Sequence, residues 1–221
     1  MNKISISLMC ADYKRLGEQV EKLNDFTDMY HFDFMDGNYV PNLSLNFDMI
    51  ESLNDVMTKP VNVHLMVVNP EDYLDKLIEL DVDSVSFHLD TISNKAFRLL
   101  KKLKENGIEV GVVLNPSEKA DSLEHLFNLI DFVTVMTVDP GFAGQSFIPE
   151  MLNKIKELDE IRKEKNLDFE IEVDGSVNET TIDRLYEAGA DIYILGSSGF
   201  FSKGETIEEA AENANKYIPF R

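Results

Sequence analysis

His31-Phe32-Asp33-Phe34-Met35-Asp36-Gly37 alternates polar or sulfur-bearing residues with aromatic ones and then breaks at a glycine. A period of two marks a β-strand, which puts His31, Asp33 and Met35 on one face, neighbours about 6.6 Å apart, and Phe32 and Phe34 on the other. The aromatic face belongs under helices. Polar residues that interrupt an otherwise buried strand near its end point into the mouth of a barrel. Three more runs end the same way: Val63-His64-Leu65-Met66, the stretch from Met136 to Gln145, and Glu172-Val173-Asp174-Gly175.

Outward from these, strand-like runs recur at 4–9, 29–35, 61–66, 84–89, 109–114, 132–138, 169–174 and 192–196. Between them, apolar residues fall three and four apart, as in Leu16, Val20 and Leu23, in Phe97, Leu100 and Leu103, and in Ile155, Leu158 and Ile161, which predicts helices. Asn69-Pro70-Glu71, Pro116-Ser117-Glu118 and Pro149-Glu150 mark helix starts, and Gly107 and Gly189 mark ends. One unit takes about 27 residues, enough for a strand, a helix and two short loops. Eight uninterrupted units predict an α/β fold, a single (β/α)8 TIM barrel over 1–221, better than an open doubly wound sheet. No linker, low-complexity tract or second domain interrupts it.

The chain has 43% hydrophobic residues, ample for one core, and a formal net charge of −20. That charge disfavours nucleic acid and anionic membranes as partners and gives no long-range steering to an anionic substrate. A phosphorylated ligand would need local capture by backbone amides. The longest apolar runs are strand-sized, residues 1–10 resemble a strand rather than a leader, and Cys10 is the single cysteine. These features fit a cytoplasmic location.

His31, Asp33, His64 and Asp174, brought from the ends of three strands, form a His2Asp2 set suited to one divalent ion; zinc, cobalt, manganese and iron all accept such ligands. The two carboxylates also suit a reaction with a base on one face and an acid on the other, such as epimerisation beside a carbonyl. Met35, Met66 and Met136 would line the cavity as polarizable contacts. His88-Leu89-Asp90 repeats the spacing of His31-Phe32-Asp33, so parity alone leaves two candidate His-Asp pairs. His125, in a helical pattern beside Glu124, is expected at the surface. The loop from Asp139 to Phe147 and the cluster Gly196-Ser197-Ser198-Gly199 flank Asp174-Gly175-Ser176, as anion-binding loops after late barrel strands do. No P-loop lysine and no dinucleotide fingerprint occurs, so no organic cofactor is expected.

The same runs, together with Pro41-Asn42, Asn115-Pro116 and Asp139-Pro140-Gly141-Phe142, resemble the ribulose-phosphate 3-epimerase family almost end to end. The resemblance implies a ribulose-phosphate-binding barrel that inverts C3 of a ketose phosphate through an enediolate. It implies metal ligands at His31, Asp33, His64 and Asp174, and an acid/base pair at Asp33 and Asp174. Substrate contacts are implied at Ser7, His64, Gly141, Phe142, Ala143, Gly144, Asp174, Gly175, Ser176, Gly196, Ser197 and Ser198, and a homo-oligomer, dimer or hexamer, is implied as well. Ala143, Ser176 and Ile6 depart from the residues common in ribulose-phosphate epimerases. With Ser7-Leu8-Met9-Cys10 and Phe147-Ile148-Pro149-Glu150, the wording resembles the branch acting on D-allulose 6-phosphate to give D-fructose 6-phosphate. That six-carbon sugar is the expected substrate. Ribulose 5-phosphate is the alternative, and a non-catalytic sugar-phosphate sensor is a third reading. Decarboxylase and aldolase-like relatives would carry Asp-x-Lys-x-x-Asp on the third strand, where this chain has Asn62-Val63-His64-Leu65-Met66.

Overall fold

A computed structural model describes residues 2–221. Eight parallel strands close on themselves in chain order: β1 (Lys3–Ser7), β2 (Met29–Met35), β3 (Val61–Met66), β4 (Ser84–His88), β5 (Glu109–Leu114), β6 (Phe132–Met136), β7 (Glu170–Asp174) and β8 (Ile192–Leu195). The helices are α1 (Leu16–Leu23), α2 (Phe47–Leu53), α3 (Leu74–Glu79), α4 (Leu89–Ile92), α5 (Ala96–Lys104), α6 (Met151–Lys165), α7 (Ile182–Ala188) and α8 (Ile207–Asn215). The architecture is the (β/α)8 barrel expected from the repeat. Among the described residues no helix is long and apolar enough to cross a membrane.

Strand parity divides the interior. Ile4, Ile6, Phe32, Phe34, Val63, Leu65, Val85, Phe87, Val133, Val135, Ile171 and Val173 join the helices in one apolar core between sheet and outer ring. The alternate positions fill the barrel and are unusually polar: Ser5, Ser7, His31, Asp33, Asn62, His64, Ser84, Ser86, His88, Thr134 and Glu172 are all buried. Opposite them, Gly111 makes room for the Phe132 ring, since a Cβ there would lie 2.2 Å from Phe132 Cε2.

Helices do not follow the strands one for one. Two, α4 and α5, follow β4, whereas the connection from β5 to β6 has no α-helix and carries a 3-10 turn, Ala120–Leu123, where Pro116-Ser117-Glu118 was expected to start one. Glu118 instead folds back to accept from the Asn115 amide at 2.6 Å, and Lys154 Nζ donates to the Asn115 and Pro116 carbonyls at 2.6 and 3.1 Å. The Asn115 carbonyl also accepts from the Glu118 amide at 3.0 Å, an i to i+3 turn in place of the i to i+4 bond of an α-helix. Ala120, Leu123 and Leu126 are buried at a spacing of three, the period that places one stripe inward on a 3-10 helix. On α5 the inward stripe is Ala96, Leu99, Leu100 and Leu103, and Phe97, expected to share it, is 59% exposed. Strands β1 and β6 end at Ser7 and Met136, two residues earlier than the runs at 4–9 and 132–138 suggested. Pro70 opens a 3-10 turn ahead of α3, and Gly189 ends α7 with φ 105°.

At the N-terminal ends of the strands one device repeats four times. Asp28, Asp83, Asp131 and Asp191 each precede an even-numbered strand, and each carboxylate accepts from an amide of the preceding odd-numbered strand: Ile4 at 2.7 Å, Val61 at 2.7 Å, Val110 at 2.9 Å and Ile171 at 2.8 Å. The amide of each aspartate donates back to the carbonyl of that same residue. The first rungs of the ladder are thereby closed where a strand would otherwise leave its amides unpaired. Asp191 also pairs with Arg162, whose guanidinium reaches the Gly189 carbonyl at 3.0 Å. Asp191→Ala is therefore expected to cost about 1–3 kcal/mol, because it leaves the Ile171 amide without its carboxylate acceptor and takes one of two carboxylates from Arg162, which keeps Asp159 at 3.0 Å. Urea unfolding at unchanged slope measures this, and a loss below about 0.5 kcal/mol contradicts it.

Candidate active site and metal centre

Register brings the polar residues to one height at the opposite, C-terminal mouth. Ser7 pairs with His31, Asp33 with His64, Met35 with Met66, and Met136 with Asp174. The end of β7 is held by Thr137, whose amide donates to the Asp174 carbonyl at 2.7 Å. His31 Nε2 lies 3.3 Å from Asp33 Oδ1, and His64 Nδ1 lies 3.5 Å from Asp33 Oδ1 and 3.6 Å from Asp174 Oδ2. One ligand atom from each of His31, Asp33, His64 and Asp174 falls within 4.8 Å of all the others. Donors about 2.0–2.2 Å from a common tetrahedral ion sit roughly 3.3–3.6 Å apart, so the spacing fits one divalent cation. His31 Nε2 and His64 Nδ1 are also buried with no hydrogen-bond partner of their own. The donor set and its unpartnered atoms both fit a cation.

The electrostatics agree with a site that concentrates opposite charges. Burial opposes a charge on His31, but the adjacent Asp33 carboxylate outweighs it and raises the imidazole to about 10. Burial likewise works against an ionised Asp33, and His31 and His64 overcome it to hold that carboxyl well below its usual range. Burial also opposes a charge on His64, and the Asp174 and Asp33 carboxylates beside it outweigh that and raise it. Ser7 Oγ donates to the second oxygen of Asp33 at 2.7 Å and fixes the rotation of the carboxylate. One layer deeper, burial raises Glu172, which accepts from Thr134 Oγ1 at 2.7 Å.

The structure separates the two candidate His-Asp pairs. Strand β4 ends at His88, so Asp90 lies on α4, exposed, and its spacing no longer means a shared face. His88 stays buried in the barrel with Nε2 2.8 Å from His64 Nε2, outside the four-residue group. His125 is exposed, as expected. Asp36, at the end of the opening stretch, braces loops instead. Its carboxylate accepts from the amides of Asn38, Tyr39 and Val68, each at 2.8 Å.

Above the group opens a cleft. Asp33, Asp174 and Ser7 reach its floor, and Met35, Met66 and Met136 form its sides. Gly141, Phe142, Ala143 and Gly144 border it from the loop after β6, Gly175 and Ser176 from the end of β7, and Gly196, Ser197 and Ser198 from the end of β8. His31 and His64 lie beneath the floor and do not line it. Val177 and Ile194 line the cleft without having been singled out by sequence, and Cys10, quoted there only within its run and as the single cysteine, lines it too. Only Ile194 had a legible signal, the inward parity of β8. Asn42 ties the β2 loop to the β6 loop by donating to the Gly141 carbonyl at 2.8 Å.

At Gly175, φ is 114° and a Cβ would meet Val138 Cγ2 at 2.5 Å, so glycine is required at that turn. Ser176 follows in the left-handed region at φ 54°, which costs an L-residue about 1–2 kcal/mol. Ser176→Gly is expected to stabilise the fold by about 0.5–1 kcal/mol after the added freedom of the unfolded chain is counted. A rise in Tm checks this, and a fall contradicts it.

A family model, the ribulose-phosphate 3 epimerase family, matches residues 3–201. The chain belongs to the ribulose-phosphate 3-epimerase family. It is 38% identical over 200 residues to the ribulose-phosphate 3-epimerase of Bacillus subtilis, covering 90% of this chain and 92% of that one. To the enzyme of the same name from Synechocystis sp. it is 37% identical, covering 89% and 86%. A mutant tryptophan synthase alpha-subunit from Pyrococcus furiosus superposes with TM-score 0.71 over 99% of both chains at 12% identity, a likeness of fold alone. Like its family, the chain is an epimerase, an isomerase of carbohydrate phosphates. The His2Asp2 group is where the chain can hold a metal ion. The relatives' names point to a pentose phosphate. The six-carbon sugar expected from the wording around Ser7, Ala143, Phe147 and Ser176 finds no such support, and the five-carbon alternative fits these relatives better.

Proposed function

We propose that the chain interconverts D-ribulose 5-phosphate and D-xylulose 5-phosphate by inverting C3, with Asp33 and Asp174 as the two proton carriers. The observation that carries this reading is the convergence of those carboxylates, from β2 and β7, on His64 Nδ1 at the floor of one cleft. A sugar laid between them has one carboxylate towards each face of C3. One aspartate removes the C3 proton, C3 flattens as the enediolate forms, and the other aspartate returns a proton to the opposite face. The reverse reaction exchanges their roles. His31, Asp33, His64 and Asp174 would hold a divalent cation, which when bound polarises the ketone and so acidifies the C3 proton. The Ser7 hydroxyl orients Asp33, and Met35, Met66 and Met136 keep water from the planar intermediate.

The phosphate is assigned to the loops around Gly141, Ala143 and Gly144, around Gly175 and Ser176, and around Gly196, Ser197 and Ser198. Barrels of this kind bind phosphate after their last strands, where glycines admit close backbone approach and the first amides of a helical turn have no partner within it. Local capture of this sort suits a chain of net charge −20. A homo-oligomer, dimer or hexamer, is part of the same proposal and is read directly by light scattering. The substrate is tested by supplying metal-loaded protein with ribulose 5-phosphate and allulose 6-phosphate separately. A higher kcat/KM for the pentose supports the proposal, and a higher value for the hexose returns the substrate to the six-carbon sugar.

A further inference from the structure

Two motifs remain outside the chemistry above, His88-Leu89-Asp90 and Asn115-Pro116, and they meet behind His64. His88 Nε2 is 2.8 Å from His64 Nε2. Asn115 Nδ2 donates to the Tyr39 hydroxyl at 2.8 Å, and that hydroxyl reaches the Asp90 carboxylate at 3.1 and 3.2 Å. Between the two halves lie His88 Nδ1 and Asn115 Oδ1, both buried and both without another partner, with Asn115 within reach of the His88 ring.

Only one direction of donation satisfies the run. An ionised carboxylate accepts only, so the Tyr39 hydroxyl donates to Asp90 and its oxygen accepts from Asn115 Nδ2. The amide is then oriented with Oδ1 towards His88, which must present Nδ1–H to it. His88 Nε2 is left bare and accepts, so the proton between the two imidazoles belongs to His64 Nε2. His64 Nδ1, the atom 3.5 Å from Asp33 and 3.6 Å from Asp174, is bare in turn. We propose that His88 is a positioning residue: the relay His64–His88–Asn115–Tyr39–Asp90, anchored at a surface carboxylate, fixes His64 as its Nε2–H tautomer and so presents Nδ1 to a divalent cation. The inference rests on the metal site of the proposed function. It explains why a buried histidine with no place among the ligands sits in the barrel, and why Tyr39 is held by the Asp36 turn.

Zinc alone, without substrate, provides the test, with the dissociation constant read by chelator competition. His88→Leu is expected to weaken zinc binding about 10- to 100-fold. His88→Gln, whose amide accepts from His64 and donates to Asn115, should bind within a few-fold of the unsubstituted protein. Tyr39→Phe, at the half-buried outer end, should weaken binding by a smaller factor, and it serves if His88→Leu does not fold. In ¹⁵N spectra of the zinc-loaded protein, His64 should carry its proton on Nε2. Equal affinity in all variants, no rescue by glutamine, or a proton on His64 Nδ1 overturns the relay while leaving the metal site intact. A protein that takes up no zinc at all overturns both the relay and the metal site.

Discussion

Asp33→Asn and Asp174→Asn each lower turnover by about 10² to 10⁴-fold or more, because each removes a proton carrier and a charged ligand at once. The two losses are expected to differ in kind. Asp33 is fully engaged, with His31 and His64 on one oxygen and Ser7 on the other, so its amide also disturbs the balance that holds both imidazoles charged or bound. Asp174 is the more accessible carboxylate, 16% exposed against 4% for Asp33, and its amide should leave the fold nearly untouched. Zinc content measured alongside the rate separates lost proton transfer from lost ligation. Near-normal turnover in either variant, at unchanged metal content, contradicts the assignment of that residue.

Stripping the metal should lower turnover by about 10³-fold or more, since polarisation of the ketone is worth several kcal/mol. Zinc, cobalt, manganese or iron(II) added back should restore it, as the His2Asp2 set does not select sharply among them. Loss of the ion should also lower Tm. A ligand at 100 times its dissociation constant contributes about 2.7 kcal/mol to the folded state, and the metal-free site retains the ion pairs of His31 and His64 with the two aspartates together with the Ser7 and His88 hydrogen bonds. Full activity after exhaustive chelation, with metal content verified near zero, contradicts this account of the site.

Most of the candidate site's layout was legible because strand parity is rigid. Once His31, Asp33 and Met35 share a face, His64 and Met66 follow from their own strand, and Asp174 follows from a strand that ends in glycine. The same reasoning was blind where a strand stops. It gave His88 and Asp90 one face, whereas β4 ends between them and α4 turns Asp90 outward. Helical spacing misled in two places for a similar reason. A stripe spaced by three fits either helix type, so the 3-10 turn after β5 and the outward Phe97 both escaped it. Asp28, Asp83, Asp131 and Asp191 look like any surface acid in a chain this acidic, and only the register of the barrel shows that each closes a strand pair. The length of the sugar was not legible at all. Ala143 and Ser176 change the border of the cleft without moving a ligand or a base, and sequence wording around them suggested a hexose where the relatives suggest a pentose.

Under the proposed mechanism Asp33 and Asp174 move the C3 proton of a ketose phosphate. The most direct test follows that proton by NMR in heavy water, with metal-loaded protein and ribulose 5-phosphate, and with allulose 6-phosphate in parallel. The C3 signal of ribulose 5-phosphate should be lost to solvent deuterium as xylulose 5-phosphate accumulates, faster than any change in the hexose. The mechanism also requires both processes to stop in Asp33→Asn and Asp174→Asn. A C3 proton that persists in both sugars, with metal bound and the fold intact, contradicts it.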